Sequence, residues 1–149
     1  MCKEIIFKTA MEDHLYQIKM SHLNDLIKLS RVDGQESLNE IHFINSIADR
    51  LGISREDLEK IRSKKENVVF TPPQDIYQIM MQFHRIILLM GIDRIISETE
   101  MEFCMDLGIR MNLKPEAIRE ILESAVENPR HIVSIEEIER IFFKHYKQG

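Results

Sequence analysis

Apolar positions along this chain recur at three- and four-residue spacing, the period of a helix with one buried face. Leu15, Ile18, His22, Leu26 and Leu29 form one such stripe, which predicts a helix over residues 11–31 after a short lead-in at residues 1–10. Ile41, Ile44, Ala48 and Leu51 continue the pattern in a second helix, and Leu58 and Ile61 in a short third. The same succession follows over residues 74–90, 97–111 and 115–126, and Ile138, Ile141, Phe142 and His145 mark a last helix over residues 134–146. No stretch alternates as a half-buried strand would. The pattern therefore predicts an all-α domain of seven helices.

The succession is a repeat in sequence as well as in pattern. Shifted by sixty residues, Met20–Ile61 lies over Met80–Ile121 without a gap. Leu29, Asp33, Ser37, Glu40, Phe43, Arg50, Glu56 and Ile61 fall on Leu89, Asp93, Ser97, Glu100, Phe103, Arg110, Glu116 and Ile121. A core pattern kept twice implies one supersecondary unit built twice. The expected organisation is a single helical domain: repeat one over residues 11–63, a linker over 64–73, repeat two over 74–126, and the C-terminal helix.

Local chemistry marks the boundaries. Ser37-Leu-Asn-Glu40 and Ser97-Glu-Thr-Glu100 have the spacing of capping boxes, in which the hydroxyl and the acid each satisfy an orphan backbone N–H. Ser54 and Ser134 are also followed three residues later by an acid. Gly34 and Gly52 suit helix ends, where glycine accepts the left-handed conformation. Pro115 suits a first helical turn. Pro72-Pro73 excludes helix between the repeats.

Composition narrows the class of function. At 149 residues, with 44% hydrophobic and 30% charged residues, the chain has the balance of a soluble globular domain. Its net charge of −5 argues against nucleic acid or an anionic lipid surface as a partner. No apolar run approaches the length of a membrane span, and Lys3, Glu4 and Lys8 interrupt any leader-like segment. Cys2 and Cys104 make no disulfide framework, and Cys104 falls on an apolar stripe. A cytoplasmic location is the expectation.

The identical polar residues are the candidates for chemistry. Asp33 and Asp93 stand where the first helix of each repeat ends, a place where the helix dipole opposes a carboxylate. Glu40 and Glu100 follow seven residues later. A divalent cation shared by each Asp and its Glu would offset the opposition, since hard cations take oxygen ligands. The competing account is structural: capping boxes explain both glutamates, and an aspartate can bond turn amides two residues on. The spacing is not that of an EF-hand, because Leu29 and Arg31 would stand where that loop needs oxygen donors.

The segment VDGQESLNEIHFINSIADRLGISREDLEKI, with GIDRIISETEMEFCMDLGIRMNLKPEAIREIL as a second copy, resembles the TerB-like tellurite-resistance domain family over about residues 20–122. The resemblance lies in the Asp-Gly turn, the Glu seven residues on, the Ile-Ala-x-x-Leu-Gly-Ile run and the Glu-rich short helix after it. It implies an all-helical fold, a role in stress-response complexes and no defined reaction. It also implicates Asp33, Glu40, Asp93 and Glu100 in divalent-metal binding. Two positions depart from the family pattern: Glu36 stands at an apolar position, and Arg94 replaces the turn glycine, setting a cation beside the second acidic turn.

Other signals point away from catalysis. Ile47–Ser54 resembles a helix-turn-helix turn, but Glu56, Asp57 and Glu59 would face phosphate on the following helix. The six histidines make no ligand pair of recognised spacing, His42 beside Glu40 included, and no nucleophile or phosphate-loop motif occurs. Met80, Met81, Met90, Met101, Met105 and Met111 read as core filler, or as a partner-binding groove where exposed together. The expected function is a non-enzymatic binding or scaffold protein with a protein partner, linked to a divalent cation through the acidic turns. The alternative is an interaction module without metal.

Overall fold

The computed structural model describes the backbone of residues 2–128 and 130–146, and side chains from residue 9 onward. Among the described residues there are seven helices: α1 (Cys2–Ser30), α2 (Leu38–Leu51), α3 (Arg55–Arg62), α4 (Ile76–Met90), α5 (Glu98–Arg110), α6 (Pro115–Glu127) and α7 (Ile135–Tyr146). No described residue lies in a strand. Among the described residues no helix is long and apolar enough to cross a membrane.

α1 and α4 form the centre. α1 packs against α2, α3, α4 and α5, and α4 also carries α5 and α7. Their inward faces occupy positions sixty residues apart: Leu23 and Phe83, Leu26 and Ile86, Ile27 and Ile87, and Leu29 and Leu89 are all buried. α2 contributes Ile44, Ile47 and Ala48, and α5 contributes Cys104, Leu107 and Gly108. α7 covers α4 and α6 with Ile138, Ile141 and Phe142, while Phe143 on the same turn is 36% exposed.

Helix starts follow their caps. Ser37 and Ser97 each accept from the backbone N–H three residues on, and Glu40 and Glu100 bond back to the serine amides. Ser54 caps α3, and Ser134 accepts from the Glu137 amide. Neither closes a full box: Asp57 instead accepts the Tyr16 hydroxyl, and Glu137 accepts from Ser124. Gly52 ends α2 at φ 74°, and Asn112 takes φ 76° sixty residues later. α2, α3, α5 and α6 begin at positions sixty residues apart in pairs.

Two expectations need correction. Residues 2–10 are not a lead-in but the first turns of α1, which runs 29 residues. This N-terminal part has no apolar stripe to announce it; Leu15 on the expected stripe is 50% exposed, and burial of that stripe becomes complete only from Met20 onward. Gly34 does not terminate α1 either. The helix stops at Ser30, three turn residues follow, and Gly34 takes φ 134° beyond them.

The segment between α3 and α4, which holds the expected linker, is a strap tied to the core. The Thr71 N–H donates to Ser21 Oγ at 2.8 Å, Val68 and Phe70 pack against the core, and Pro73 is buried. Arg110 lies over the Phe70 ring at 4.8 Å.

Gly108 lets the helices of the second half approach closely. A Cβ there would meet Ile118 Cδ1 at 2.7 Å and Phe83 Cε2 at 3.2 Å, both from fully buried side chains. The clash outweighs the helix propensity that alanine adds, about 1 kcal/mol. Gly108→Ala is therefore expected to lower the urea midpoint; an unchanged or raised midpoint would show that the crossing has slack.

Candidate functional site

The turns after α1 and α4 come together. In the first, Val32 and Gly34 amides bond the Leu29 and Arg31 carbonyls; in the second, Ile92 and Arg94 amides bond those of Leu89 and Gly91. With the first turns of α2 and α5 they line one cleft of about 260 Å³, floored by Leu29, Ser30 and Met90. Asp33, Glu40, Asp93 and Glu100 all line it. The four residues picked out by the repeat thus meet at one place.

Their hydrogen bonding is uneven. Glu40, nearly buried, holds the Ser37 amide at 2.9 Å, and Glu100 holds the Ser97 amide at 3.1 Å. One oxygen of each capping carboxylate is committed to a helix start. Asp33 accepts the Ser97 hydroxyl at 2.5 Å, so the α5 cap is tied to the turn of the other half. That bond, not an amide two residues on, is what satisfies Asp33. Asp93 makes no hydrogen bond to a described residue. Burial raises the Glu100 carboxyl above its ordinary range; the Ser97 bonds oppose this, and the negative charge of Asp33 adds to it.

A cation in this cleft would use the oxygens that capping leaves over, together with those of Asp93. Calcium takes six to eight oxygens at 2.3–2.6 Å. Among the described residues no three His, Cys, Asp or Glu side chains converge as a ready ligand set. The carboxylates share a cleft without sharing a point. His42 is exposed on α2 and does not line it.

Arg94 is not among the residues that line the acidic cleft. It takes φ 61° and lines a separate pocket with Gly91, Ile96 and His131–Val133.

Glu36, the other departure, anchors a polar cluster. Its side chain is 5% exposed and is held by Arg62 Nη1 at 2.5 Å and Arg31 Nε at 2.9 Å. Arg31 also donates to the Arg62 carbonyl, while Arg62 Nη2 is buried without a partner. At the positions sixty residues on, the chain has Ile96 and Leu122 in place of Glu36 and Arg62. The polar pair in one half stands where the other half packs two apolar side chains. A charged residue aligned over an apolar one, twice within one contact, was the signal in the sequence for this pair.

α1 buries two titratable groups beside one another on its inner face. His22 has neither ring nitrogen hydrogen-bonded, and burial, with the nearby charge of Arg85, lowers its pKa to about 3. Burial raises Asp25 to about 7, against the opposing charges of Arg110 and Lys28. Cys104 is a buried free thiol, raised by burial well above its ordinary range. It is packing, not a nucleophile. The Cys2 side chain lies outside those described.

A shallower groove runs between α5 and α6. Met101, Met105 and Leu122 line it, with Glu102, Asp106, Glu123 and Arg119 at its edges, and its volume is about 380 Å³. No family model, curated protein or solved structure matches this chain.

Proposed function

We propose that the protein is a cytoplasmic, non-enzymatic binding or scaffold protein of the TerB-like kind, acting in stress physiology, in which a divalent cation engages the acidic cleft. The observation that carries this reading is that two turns sixty residues apart present Asp33, Glu40, Asp93 and Glu100 to one cleft. The elevated Glu100 carboxyl supports it: burial is the main cause, and the negative charge of Asp33 adds a repulsion that a cation would relieve. Because the ligands do not converge, the cation would draw Asp33 and Asp93 inward, and weak, millimolar-range binding is the form expected.

Thermal unfolding with Ca²⁺, Mg²⁺, Mn²⁺ and Zn²⁺ tests the proposal. A ligand of the folded state alone raises Tm with its free concentration, and a hundredfold excess over Kd adds about 2.7 kcal/mol. The wild-type protein is expected to shift with at least one hard cation, and the Asp33→Asn/Asp93→Asn variant to lose that shift. Equal shifts in both would place any metal elsewhere, and no shift at millimolar metal would remove the cation from the reading.

One observation favours the interaction module without metal. The methionine-lined groove between α5 and α6 has flexible apolar walls and an acidic rim, which suits an apolar, basic helix of a partner. In that reading Asp33 and both glutamates serve only to fix the turns.

A further inference from the structure

A second cleft, of about 460 Å³, opens between α2, α4 and the start of α7, away from the acidic turns. Arg50 of α2 and Arg85 of α4 both line it. Neither makes an ion pair or hydrogen bond with a described residue, although Arg85 is half-buried. Burial, and after it the like charge of Arg50, holds the Arg85 guanidinium below its ordinary range. Leaving a partly desolvated arginine beside a second arginine is costly unless something negative joins them.

The other half of the chain shows what that partner would be. Sixty residues from Arg50 stands Arg110, and sixty residues before Arg85 stands Asp25. Asp25 feels the charge of Arg110, so there the chain sets an acid of its own, and not a second base, within electrostatic reach of the arginine. At Arg50 the corresponding position holds Arg85, and the carboxylate is missing where the cleft is open.

The other groups facing the cleft leave it cationic. Glu139 on α7 is the one carboxylate that lines it, and it forms no ion pair with either arginine. His84, which also lines the cleft, donates Nε2–H to the Val133 carbonyl at 2.8 Å. The walls are apolar: Phe43, Ile47, Leu88 and Ile135. An apolar cleft of a few hundred Å³ with a few placed polar groups is the form of a small-molecule site.

We propose that this cleft binds a small amphiphilic anion, with its carboxylate or phosphate headgroup between Arg50 and Arg85 and its apolar body along Phe43, Ile47, Leu88 and Ile135. Arginine forks suit either headgroup, because both present two oxygens to paired N–H donors. The site is independent of the acidic cleft and of any cation there.

Calorimetry and thermal shift on the full chain would test this with decanoate, decyl phosphate, decanol and inorganic phosphate, each below its micelle concentration. At least one anionic amphiphile is expected to bind at least tenfold more tightly than decanol, and the tighter of the two identifies the headgroup. Arg50→Gln and Arg85→Gln are each expected to weaken that binding at least tenfold and to leave decanol unchanged. Arg85→Gln relieves a like-charge contact, so its ligand-free Tm is expected to equal or exceed that of the wild type. Equal affinity for decanol and the anions would overturn the proposal, as would full affinity for inorganic phosphate alone, or no binding by either amphiphile. Retained affinity in both glutamine variants would also overturn it.

Discussion

Replacing Glu36 with alanine is expected to destabilise the fold by about 3 kcal/mol, because it strands a guanidinium that cannot reach water easily. Arg31 is 35% exposed and can swing outward once its partner is gone. Arg62 is only 12% exposed and already carries one unpartnered buried nitrogen. Most of the loss therefore falls on Arg62. The chain contains the remedy sixty residues away, where Ile96 and Leu122 occupy the corresponding positions and Leu122 is buried. Replacing a buried ion pair with packed apolar side chains is often neutral or stabilising by 1–4 kcal/mol. The double variant Glu36→Ile/Arg62→Leu is thus expected to match or exceed the wild type in urea unfolding, with the single variant well below both. If the double variant proved as unstable as Glu36→Ala, the two halves would not share this packing solution.

The buried pair on α1 gives the second large effect, and it shows as a change of slope with pH. His22 has its folded pKa lowered to about 3. The unfolded state then binds the proton better, so stability is complete above about pH 6.5 and falls as pH drops from there toward 3. Asp25 has its folded pKa raised to about 7. Here the folded state binds the proton better, so stability is complete below about pH 4 and falls as pH rises toward 7. Each slope alone is a factor of ten in the folding constant per pH unit. Between about pH 4 and 6.5 the two oppose and cancel.

Single substitutions should uncover them. Relative to wild type, Asp25→Asn is expected to gain stability as pH rises from 4 to 7. His22→Gln, which installs the residue present at position 82, is expected to gain as pH falls from 6.5 toward 3. Denaturant titrations at half-unit pH steps, read as differences from wild type, would show the opposed slopes; parallel profiles for all three proteins would mean that neither group carries its proton as described.

Much of the fold was legible because its signals are local. Ser37 and Ser97 name the starts of α2 and α5 through their own hydrogen bonds, and the stripes of α4 and α7 fix which faces turn inward. The first turns of α1 were not legible, since residues 2–10 carry no stripe and extend a helix nucleated elsewhere. The acidic residues were legible as residues but not as a site. Whether Asp33 and Asp93 meet depends on how α1 and α4 dock, and no local pattern encodes that. The pocket that Arg94 lines was hidden for a related reason: it is shared with His131–Val133, which only tertiary packing brings near. Arg50 and Arg85 were each unremarkable along the chain. Only their docking across helices, read beside Asp25 and Arg110, makes the missing partner visible.

The strap between α3 and α4 bears on how two molecules of this chain could meet. Chains built from similar halves are prone to domain swapping, in which one half leaves its own partner for that of a second molecule. Opening the connector is the first step of such an exchange. Here the connector must give up the Thr71–Ser21 hydrogen bond, the burial of Pro73 and the seat of Phe70 beneath Arg110 before any swapped contact forms. The pinned connector therefore acts as a barrier to exchange, keeping each half with the partner it was synthesised beside.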